Sequence, residues 1–295
     1  HAADMFEKRL IALGIKVYKH YPIADYPSNI PLIVSDDGFG KNDYIETERS
    51  LVVITAPGPG SGKMATCLSQ LYHEHKRGVT AGYAKFETFP IWNIPLKHPV
   101  NVAYEAATAD LNDVNMIDSY HLEAYGETTV NYNRDIEIFP VLNAIMEKIL
   151  GSSPYKSPTD MGVNMAGYCI FDEDAVEAAS RQEILRRYYS ACCSVRQGMS
   201  DAHEVGKLEL LMGQMGITTD ERPVVAAALK KAEETGAPAV AIQLENGRIV
   251  TGKTSSLLGA SAAALLNALK ILGDIEDDAD LISHTVIEPI QKLKI

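Results

Sequence analysis

The segment from Ser50 to Gly78 contains the residues best suited to bind a phosphate group. It reads SLVVITAPGPGSGKMATCLSQLYHEHKRG: an apolar run, a glycine-rich turn and a helical pattern. Glycines let successive backbone N–H groups point at one anion, and the start of the following helix attracts negative charge. An idle turn between a strand and a helix is the alternative interpretation. We predict a phosphate-binding loop formed by Gly58, Pro59, Gly60, Ser61, Gly62 and Lys63.

The residue after Lys63 departs from the usual phosphate-loop pattern. Met64 stands where such loops place Ser or Thr, so the standard hydroxyl ligand of Mg²⁺ is missing. Thr66 is the nearest substitute, but two residues along a helix turn its side chain by roughly 200°. The sequence therefore predicts binding of ATP or another nucleotide, with Mg²⁺ as a possible companion, and puts ordinary ATP hydrolysis in doubt.

A second segment, Gly247 to Thr254, fits the literal pattern G-x-x-x-x-G-K-[ST]. Between its glycines lies RIVT, which is β-branched and extended and is typical of the return strand of a hairpin turning at Asn246-Gly247. We predict that this match binds no nucleotide. Instead, Gly252 to Ser255 is expected to cap a helix whose small residues pack closely against the strand.

Other polar residues could complete a site at the loop. Asp36 and Asp37 follow the apolar run Pro31–Val34, which we predict to be a strand parallel to Leu51–Thr55. Both carboxylates would then lie at the same sheet edge as Lys63 and could hold Mg²⁺. An ordinary Asp-Asp-Gly turn is the alternative. Arg134 is a candidate phosphate clamp because its guanidinium can donate two parallel hydrogen bonds.

Three further segments offer polar side chains that could contact a substrate or a metal. Each also has an ordinary interpretation as a solvated loop, a helix cap or a surface charge. The candidates are Asp110, Asp113 and Asp118, then Asn131 and Asn133, and finally Thr159, Asp160 and Asn164, with Lys85 on a separate aromatic segment.

Apolar runs bounded by Gly and Asp, followed by helical patterns, are typical of parallel strands that are buried on both faces. We therefore predict an α/β fold: a doubly wound, mostly parallel sheet with a phosphate-loop-like strand-loop-helix. A smaller C-terminal α/β unit should contain helices at Arg222–Gly236 and Ala260–Leu272 around the hairpin. The predicted domains are residues 1–218 and 219–295.

Composition narrows the classes of function. The 295 residues carry a formal net charge of -12, which argues against broad nucleic-acid binding. The four cysteines include no CxxC, which is typical of reduced thiols rather than a zinc site. No apolar run reaches the ~18 residues that span a bilayer, and no signal peptide is visible. We expect a cytoplasmic homo-oligomer that binds a phosphorylated small molecule and neither nucleic acid nor membrane.

Three long motifs carry a resemblance that covers essentially the whole chain. They are LVVITAPGPGSGKMATCLSQLYHE, GYAKFETFPIWNIPLKHPVNVAYEAATADLNDVNMID and SPTDMGVNMAGYCIFD. The chain resembles an uncharacterised family of bacterial cytosolic proteins that is known as a domain of unknown function. The resemblance implies a longer natural protein but no particular activity. GPGSGK also resembles the loop of nucleoside monophosphate kinases, from which Met64-Ala65 departs.

Three hypotheses about function follow. The first is a phosphoryl-transfer or hydrolytic enzyme that binds its nucleotide at Gly58–Lys63. The second is a non-catalytic sensor that binds the same ligand and changes its assembly. The third is an isomerase or transferase that uses the loop only to anchor a substrate phosphate. Turnover in the presence of Mg²⁺, compared with simple binding, distinguishes the first from the second.

Overall fold

The computed structural model describes residues 2–58, 60–86, 90–162 and 164–293. Pro59, which belongs to the predicted phosphate loop, lies outside these residues. The chain divides into two compact units, His1–Val176 and Glu177–Ile295. The predicted boundary at 218–219 falls inside the second unit and stays a prediction. Among the described residues, no helix is both long enough and apolar enough to cross a bilayer.

The first unit is mainly helical. Its helices are α1 (Ala2–Ala12), α2 (Ile30–Ile33), α3 (Lys63–Lys76), α4 (Pro99–Ala107), α5 (Ser119–Tyr125), α6 (Asn133–Leu150) and α7 (Pro158–Met161). Its two strands, β1 (Asn115–Ile117) and β2 (Val130–Tyr132), pair antiparallel with Met116 opposite Asn131. Short 3₁₀ helices cover Phe39–Lys41, Ala109–Leu111 and Ala166–Cys169.

The core of this unit forms where α3 meets α6. Apolar residues recur three or four positions apart on both helices, so each presents one apolar face to the other. The α3 face consists of Leu68, Leu71 and Tyr72, and the α6 face of Phe139, Leu142, Ile145, Met146 and Ile149, with Ile33, Phe39 and Met161 completing the cluster. This packing fixes α3, whose first residue is Lys63.

The α/β class is confirmed, but the predicted doubly wound parallel sheet is wrong. The described residues form two antiparallel sheets of two strands each, and their one isolated parallel bridge joins Lys85 to Gly162. The predicted strand Pro31–Val34 lies largely in α2, because the Asn29 side chain accepts a hydrogen bond from Leu32 N (3.3 Å) and Pro31 suits a first helical turn.

The predicted central strand Leu51–Thr55 is also not observed as a strand. These residues belong to no helix or strand and pair with no described strand. Leu51 is 80% exposed and Val53 is 78% exposed, so the segment is not buried on both faces as a central parallel strand would be.

The second unit contains the smaller α/β arrangement that the sequence predicts. Its helices are α8 (Glu173–Arg196, which begins in the first unit), α9 (Ala202–Met215), α10 (Pro223–Thr235), α11 (Ala260–Leu272) and α12 (His284–Leu293). Strands β3 (Ala239–Gln243) and β4 (Ile249–Lys253) form an antiparallel hairpin against α10 and α11. Gly247 in the turn has a φ of 79°, as the predicted Asn-Gly turn requires.

An ion-pair network on α8 gives this unit a pH-dependent contribution to stability. Glu183 accepts hydrogen bonds from Arg186 Nε (2.7 Å) and Arg187 Nε (2.8 Å). The hydrogen bond from Arg186 is the main reason that the pKa of Glu183 falls from its ordinary 4.5 to about 2. Because the folded-state pKa is lowered, the contribution is present above pH 4.5 and is lost as the pH falls towards 2.

Glu183→Gln should therefore reduce stability at neutral pH and have no such effect near pH 2. The Glu183 side chain is 36% exposed, so solvent screening limits the loss to roughly 0.5–1 kcal/mol. Thermal unfolding from pH 7 to pH 2 measures the difference from wild type. Glu234→Gln changes an exposed glutamate on α10 and serves as the control. A difference that is the same at both ends of the pH range would contradict the assignment.

Candidate functional site

The glycine-rich loop leads directly into α3. Gly60 and Gly62 have φ values of 69° and 87°, a backbone conformation that L side chains rarely adopt. A Cβ added at Gly58, Gly60 or Gly62 would meet nothing within 4 Å, so the space beside the loop is open. The backbone conformation therefore explains why glycine occupies two of the three glycine positions in the predicted loop.

Two side chains of the loop converge on one of its own carbonyls. Lys63 Nζ donates to Gly58 O at 2.9 Å, and the exposed Ser61 hydroxyl donates to the same oxygen. Gly62 is the N-cap of α3 and has no side chain with which to cap it. The first intrahelical bond runs from Thr66 N to Gly62 O (2.9 Å). The N–H groups of residues 63–65 precede that bond, so they have no acceptor within the helix.

Met64 and Thr66 occupy different surroundings. Met64 is half-buried and packs against the core of the first unit. The Thr66 hydroxyl lies 3.5 Å from His20 Nδ1, and burial lowers the pKa of this histidine. Thr66 therefore contacts a side chain from a distant part of the sequence, and a role for it at the loop stays a prediction.

The predicted acidic pair is not beside the loop. Asp36 accepts hydrogen bonds from Tyr72 OH (2.9 Å) and from Lys76 Nζ, at the last turn of α3. The contact with Lys76 is the main reason that the pKa of Asp36 is lowered. Lys63 and Lys76 are separated by about 20 Å along a helix of this length. The prediction that Asp36 lies at the same edge of a parallel sheet as Lys63 is therefore wrong, because α2 replaces one of the two strands.

The other residue of the acidic pair, Asp37, also has a lysine as its partner. Asp37 pairs with Lys41 at 3.4 Å on the surface. Within residues 2–58, 60–86, 90–162 and 164–293, no group of three or more His, Cys, Asp or Glu side chains is arranged to hold a metal ion. The predicted magnesium ligands Asp36 and Asp37 thus act as partners of lysines, and a parallel sheet edge that would bring them to Lys63 is not formed.

Arg134 forms an ion pair with a buried carboxylate. Its Nε lies 2.5 Å from Asp113 Oδ1 and its Nη2 donates to Oδ2 at 2.7 Å, which is the two-pronged geometry predicted for a phosphate. The Asp113 side chain is 1% exposed, and removing the arginine would leave that charge buried. Arg134 is therefore better explained as the partner of Asp113 than as a phosphate clamp.

Several of the other polar candidates line a pocket elsewhere in the first unit. Its empty volume of about 310 Å³ includes space that is open to solvent. Lys85 Nζ lies 2.5 and 2.6 Å from the two carboxylate oxygens of Asp135, whose side chain is 17% exposed. The lining consists of Lys85, Pro90, Trp92, Val130, Asn131, Asp135, Pro158, Thr159, Gly162 and Asn164. We call this the Lys85 pocket.

A buried carboxylate supports one wall of the Lys85 pocket. Asp118 is fully buried, and its Oδ2 accepts hydrogen bonds from Thr159 N (3.1 Å) and Thr159 Oγ1 (2.5 Å). Its Oδ1 caps α5 by accepting from Tyr120 N (3.0 Å) and His121 N (3.1 Å). Asn131 Nδ2 also donates to Thr159 Oγ1, at 3.4 Å. The Asp118 side chain thus ties α5 to α7 and fixes the orientation of Thr159.

His121 forms a contact that the sequence analysis did not anticipate. Its Nδ1 lies 2.9 Å from Ser157 Oγ and 3.7 Å from an oxygen of Asp160. This resembles a Ser-His-acid arrangement, but Ser157 is fully buried and forms a capping box with Asp160 at the start of α7. The S-x-x-D pattern was the available signal, and it indicates a cap rather than a nucleophile.

Two family models match almost the whole chain. A family model described as the N-terminal domain of unknown function DUF1846 matches residues 1–216, and the corresponding C-terminal model matches residues 220–295. The chain belongs to this family. The resemblance predicted from the three long motifs is thereby confirmed, while the phosphate-loop interpretation of one of them stays a prediction.

The relatives are bacterial. A "UPF0371 protein" of Streptococcus equi subsp. equi is 60% identical over 294 residues, which cover 100% of this chain and 60% of the relative. A "UPF0371 protein" of Streptococcus thermophilus shows the same identity and coverage. One from Streptococcus equi subsp. zooepidemicus is 59% identical over the same length. The chain therefore spans about 60% of the length of the relatives it matches.

Proposed function

We propose that the protein binds a nucleotide or another phosphorylated metabolite, and that the loop Gly58–Lys63 holds the phosphate. The observation that supports this most directly is the conformation of Gly60 and Gly62 immediately before α3, a helix of 14 residues without a capping side chain. Backbone N–H groups at such a helix start, together with the helix dipole, favour an anion.

The position of Lys63 gives the loop its positive charge. The ammonium group lies within the loop, where it donates to Gly58 O at 2.9 Å. A phosphate oxygen is a stronger acceptor than a neutral carbonyl, because both partners are then charged. A bound phosphate would thus replace this internal contact with a charge-assisted one, and the loop would need little rearrangement to accept it.

The packing of Met64 distinguishes this loop from the phosphate loops of ordinary nucleotide hydrolases. Met64 packs against the core and offers no oxygen to a metal, while Asp36 pairs with Lys76 at the other end of α3. We therefore infer that phosphate is bound chiefly through backbone N–H groups and Lys63. Binding should then depend less on Mg²⁺ than it does where a Ser or Thr of the loop coordinates the ion.

Lys63→Ala should weaken binding of ATP, or of whichever probe among ATP, AMP and ribose 5-phosphate binds most tightly to wild type. A charge-assisted contact of roughly 1.5–3 kcal/mol corresponds to a loss of about one to two orders of magnitude in affinity. Isothermal titration calorimetry, with Mg²⁺ and with chelator, measures the change. The fold should survive, because Lys63 begins its helix and contributes little to the core.

Lys253→Ala is the matched control, since Lys253 is the lysine of the literal but rejected motif. It should leave affinity unchanged, and a tenfold loss would show that the second motif is the binding loop. Unchanged affinity in Lys63→Ala rejects the proposal. Strict dependence on Mg²⁺ in wild type would reject only the inference from Met64. Turnover of the bound nucleotide would identify a phosphoryl-transfer or hydrolytic enzyme rather than a sensor.

A further inference from the structure

We propose that the outer edge of β3 is a docking surface for a β-strand, and that in the longer proteins of this family the strand comes from the same polypeptide. β3 (Ala239–Gln243) pairs with β4 along one edge, and its other edge faces no described strand. Such an edge presents a row of backbone groups that an extended segment can join by adding a strand. The inference concerns the second unit alone and does not depend on phosphate binding at Gly58–Lys63.

The hydrogen-bond pattern of the hairpin shows which backbone groups of β3 point outward. Leu244 N donates to the O of its opposite residue, Arg248, at 2.9 Å, so these two residues form a hydrogen-bonded pair. Hydrogen-bonded pairs alternate with unbonded ones along an antiparallel ladder, so the even-numbered residues of β3 bond to β4. The backbone N–H and C=O groups that point away from β4 are those of Ala239, Ala241 and Gln243.

These three residues form what we call the free edge of β3. Their outward backbone groups have no hydrogen-bond partner among the residues that the structure describes. The outer edge of β4 differs, because Thr251 O accepts a hydrogen bond from Asn267 Nδ2 of α11 at 2.9 Å. Helix α11 therefore satisfies part of the β4 edge, whereas the free edge of β3 is open to a strand.

β3 lacks the features by which proteins protect the edge of a sheet. Its sequence, AVAIQ, contains no charged residue and no proline, and its five described pairs with β4 run without a bulge. Charged side chains, prolines and bulges are the usual means of preventing the addition of a further strand. An uncharged and regular edge of this kind therefore favours pairing.

The part of the unit around β3 is also less covered than the part around β4. β4 contains two buried residues, Val250 and Gly252, while every described residue of β3 is half-buried or exposed. Helix α10, which packs on β3, is rich in valine and alanine, yet none of its described residues is buried and Leu229 is 66% exposed. A strand added beside β3 would extend the sheet here and cover part of this apolar surface.

The length of the relatives favours a strand from the same polypeptide. This chain matches 60% of each of two Streptococcus relatives, so the remainder of such a protein could supply an additional strand. A segment of the same polypeptide has an effective concentration on the order of millimolar, which a second copy or a foreign protein does not reach in dilute solution. The expected strand has apolar residues at alternate positions, which would continue the row formed by Val240 and Ile242.

Hydrogen exchange resolved to single amides tests the proposal in two proteins. In this chain, the amide of Ala241 should exchange at least tenfold faster than those of Val240 and Ile242, which bond to β4. In the full-length Streptococcus equi relative, exchange should be at least tenfold slower than in this chain at the positions that match Ala239, Ala241 and Gln243. Both comparisons are made after correction for intrinsic exchange rates.

A proline variant tests whether the protecting element is a strand. Ala241→Pro removes one outward N–H and leaves the β3–β4 ladder intact, and edge strands tolerate proline where the N–H has no partner in the sheet. At the matching position of the relative, it should speed exchange of the flanking outward amides at least tenfold. Thr251→Pro, at the directly opposite position on β4, is the matched control and should leave exchange on β3 unchanged. If either variant does not fold, the comparison of the two unsubstituted proteins decides.

Three results would overturn the proposal. The first is equally fast exchange of the outward amides in the relative, which would show that no strand covers this edge. The second is protection in the relative that persists in a folded Ala241→Pro variant, or that Thr251→Pro removes to the same extent. The third is protection of the Ala241 amide in this chain alone. Sedimentation velocity would then separate a monomer, whose edge is already covered, from a dimer, in which a second copy is the occupant.

Discussion

Gly252→Ala should destabilise the second unit by about 3 kcal/mol, the upper part of the usual range for overpacking a core. Gly252 lies on β4, opposite Val240, where the hairpin packs against α11. A Cβ at this position would lie 2.1 Å from Ala264 N and 2.6 Å from Ala264 Cα. Both are backbone atoms of a helix, so no side-chain rotation relieves the overlap, and the strand must move away from the helix.

The measurement is denaturant unfolding followed by helical circular dichroism, with Gly206→Ala as the matched control. Gly206 lies within α9 of the same unit, and a Cβ there would meet nothing within 4 Å. That change should be neutral or stabilise the helix by up to about 1 kcal/mol. Equal midpoints for the two variants would contradict the role assigned to Gly252.

This packing also explains why a literal phosphate-loop pattern occurs at Gly247–Thr254. Its first glycine has the positive φ that the hairpin turn needs, and its second allows α11 to approach β4. The two glycines thus have separate structural causes, five residues apart. The interpretation of this segment as a hairpin and a close helix contact is confirmed by the structure. The predicted helix cap at Gly252 to Ser255 is wrong, because the N-cap of α11 is Gly259 and no side chain caps this helix.

Local features of the fold could be predicted from the sequence. The predicted helix at 260–272 has the bounds observed for α11, and the helical pattern after the glycine-rich turn forms α3. The hairpin turn lies at Asn246-Gly247 as predicted. These elements depend on periodicity, glycine positions and turn residues, all of which are visible within a short window.

The sheet could not be predicted in the same way, because a strand requires a partner. Leu51–Thr55 has the apolar run of a strand, but an apolar run does not specify which segment pairs with it, and no strand forms here. The wrong prediction of the sheet also made the predicted arrangement of the site wrong. The prediction that Asp36 lies beside Lys63 depends on one edge of a parallel sheet, and α2 replaces one of the two strands that would form it.

The Lys85 pocket shows a second reason why a group of polar residues could not be predicted from the sequence. Lys85, Asn131, Thr159 and Asn164 each drew attention as isolated polar residues, but they come from separate segments that only the fold brings together. Trp92 gave no signal, because a lone tryptophan among prolines is equally compatible with packing. The sequence makes Asp118 a candidate for contact with a substrate or a metal, whereas its burial and its four hydrogen bonds indicate a structural role.

Asp118→Ala should therefore be among the most damaging single substitutions in the first unit, with a loss of about 3–5 kcal/mol. It would remove the acceptor of Tyr120 N, His121 N, Thr159 N and Thr159 Oγ1 together. Leaving one buried donor unpaired costs about 1–3 kcal/mol, and the effects in a shared network are not additive. Asp118→Asn should be milder, since its amide oxygen still accepts from one side.

Thermal and denaturant unfolding of the two variants should rank wild type above Asp118→Asn and Asp118→Ala lowest. Asp110→Ala is the control, because Asp110 is an exposed aspartate from the same segment of the chain and should change stability by less than about 0.5 kcal/mol. Since Asp118 also orients Thr159 in the wall of the Lys85 pocket, Trp92 emission should shift in Asp118→Asn even where the variant remains folded. A variant at position 118 as stable as Asp110→Ala would show that these four donors find other acceptors, and that α5 and α7 are held together by packing instead.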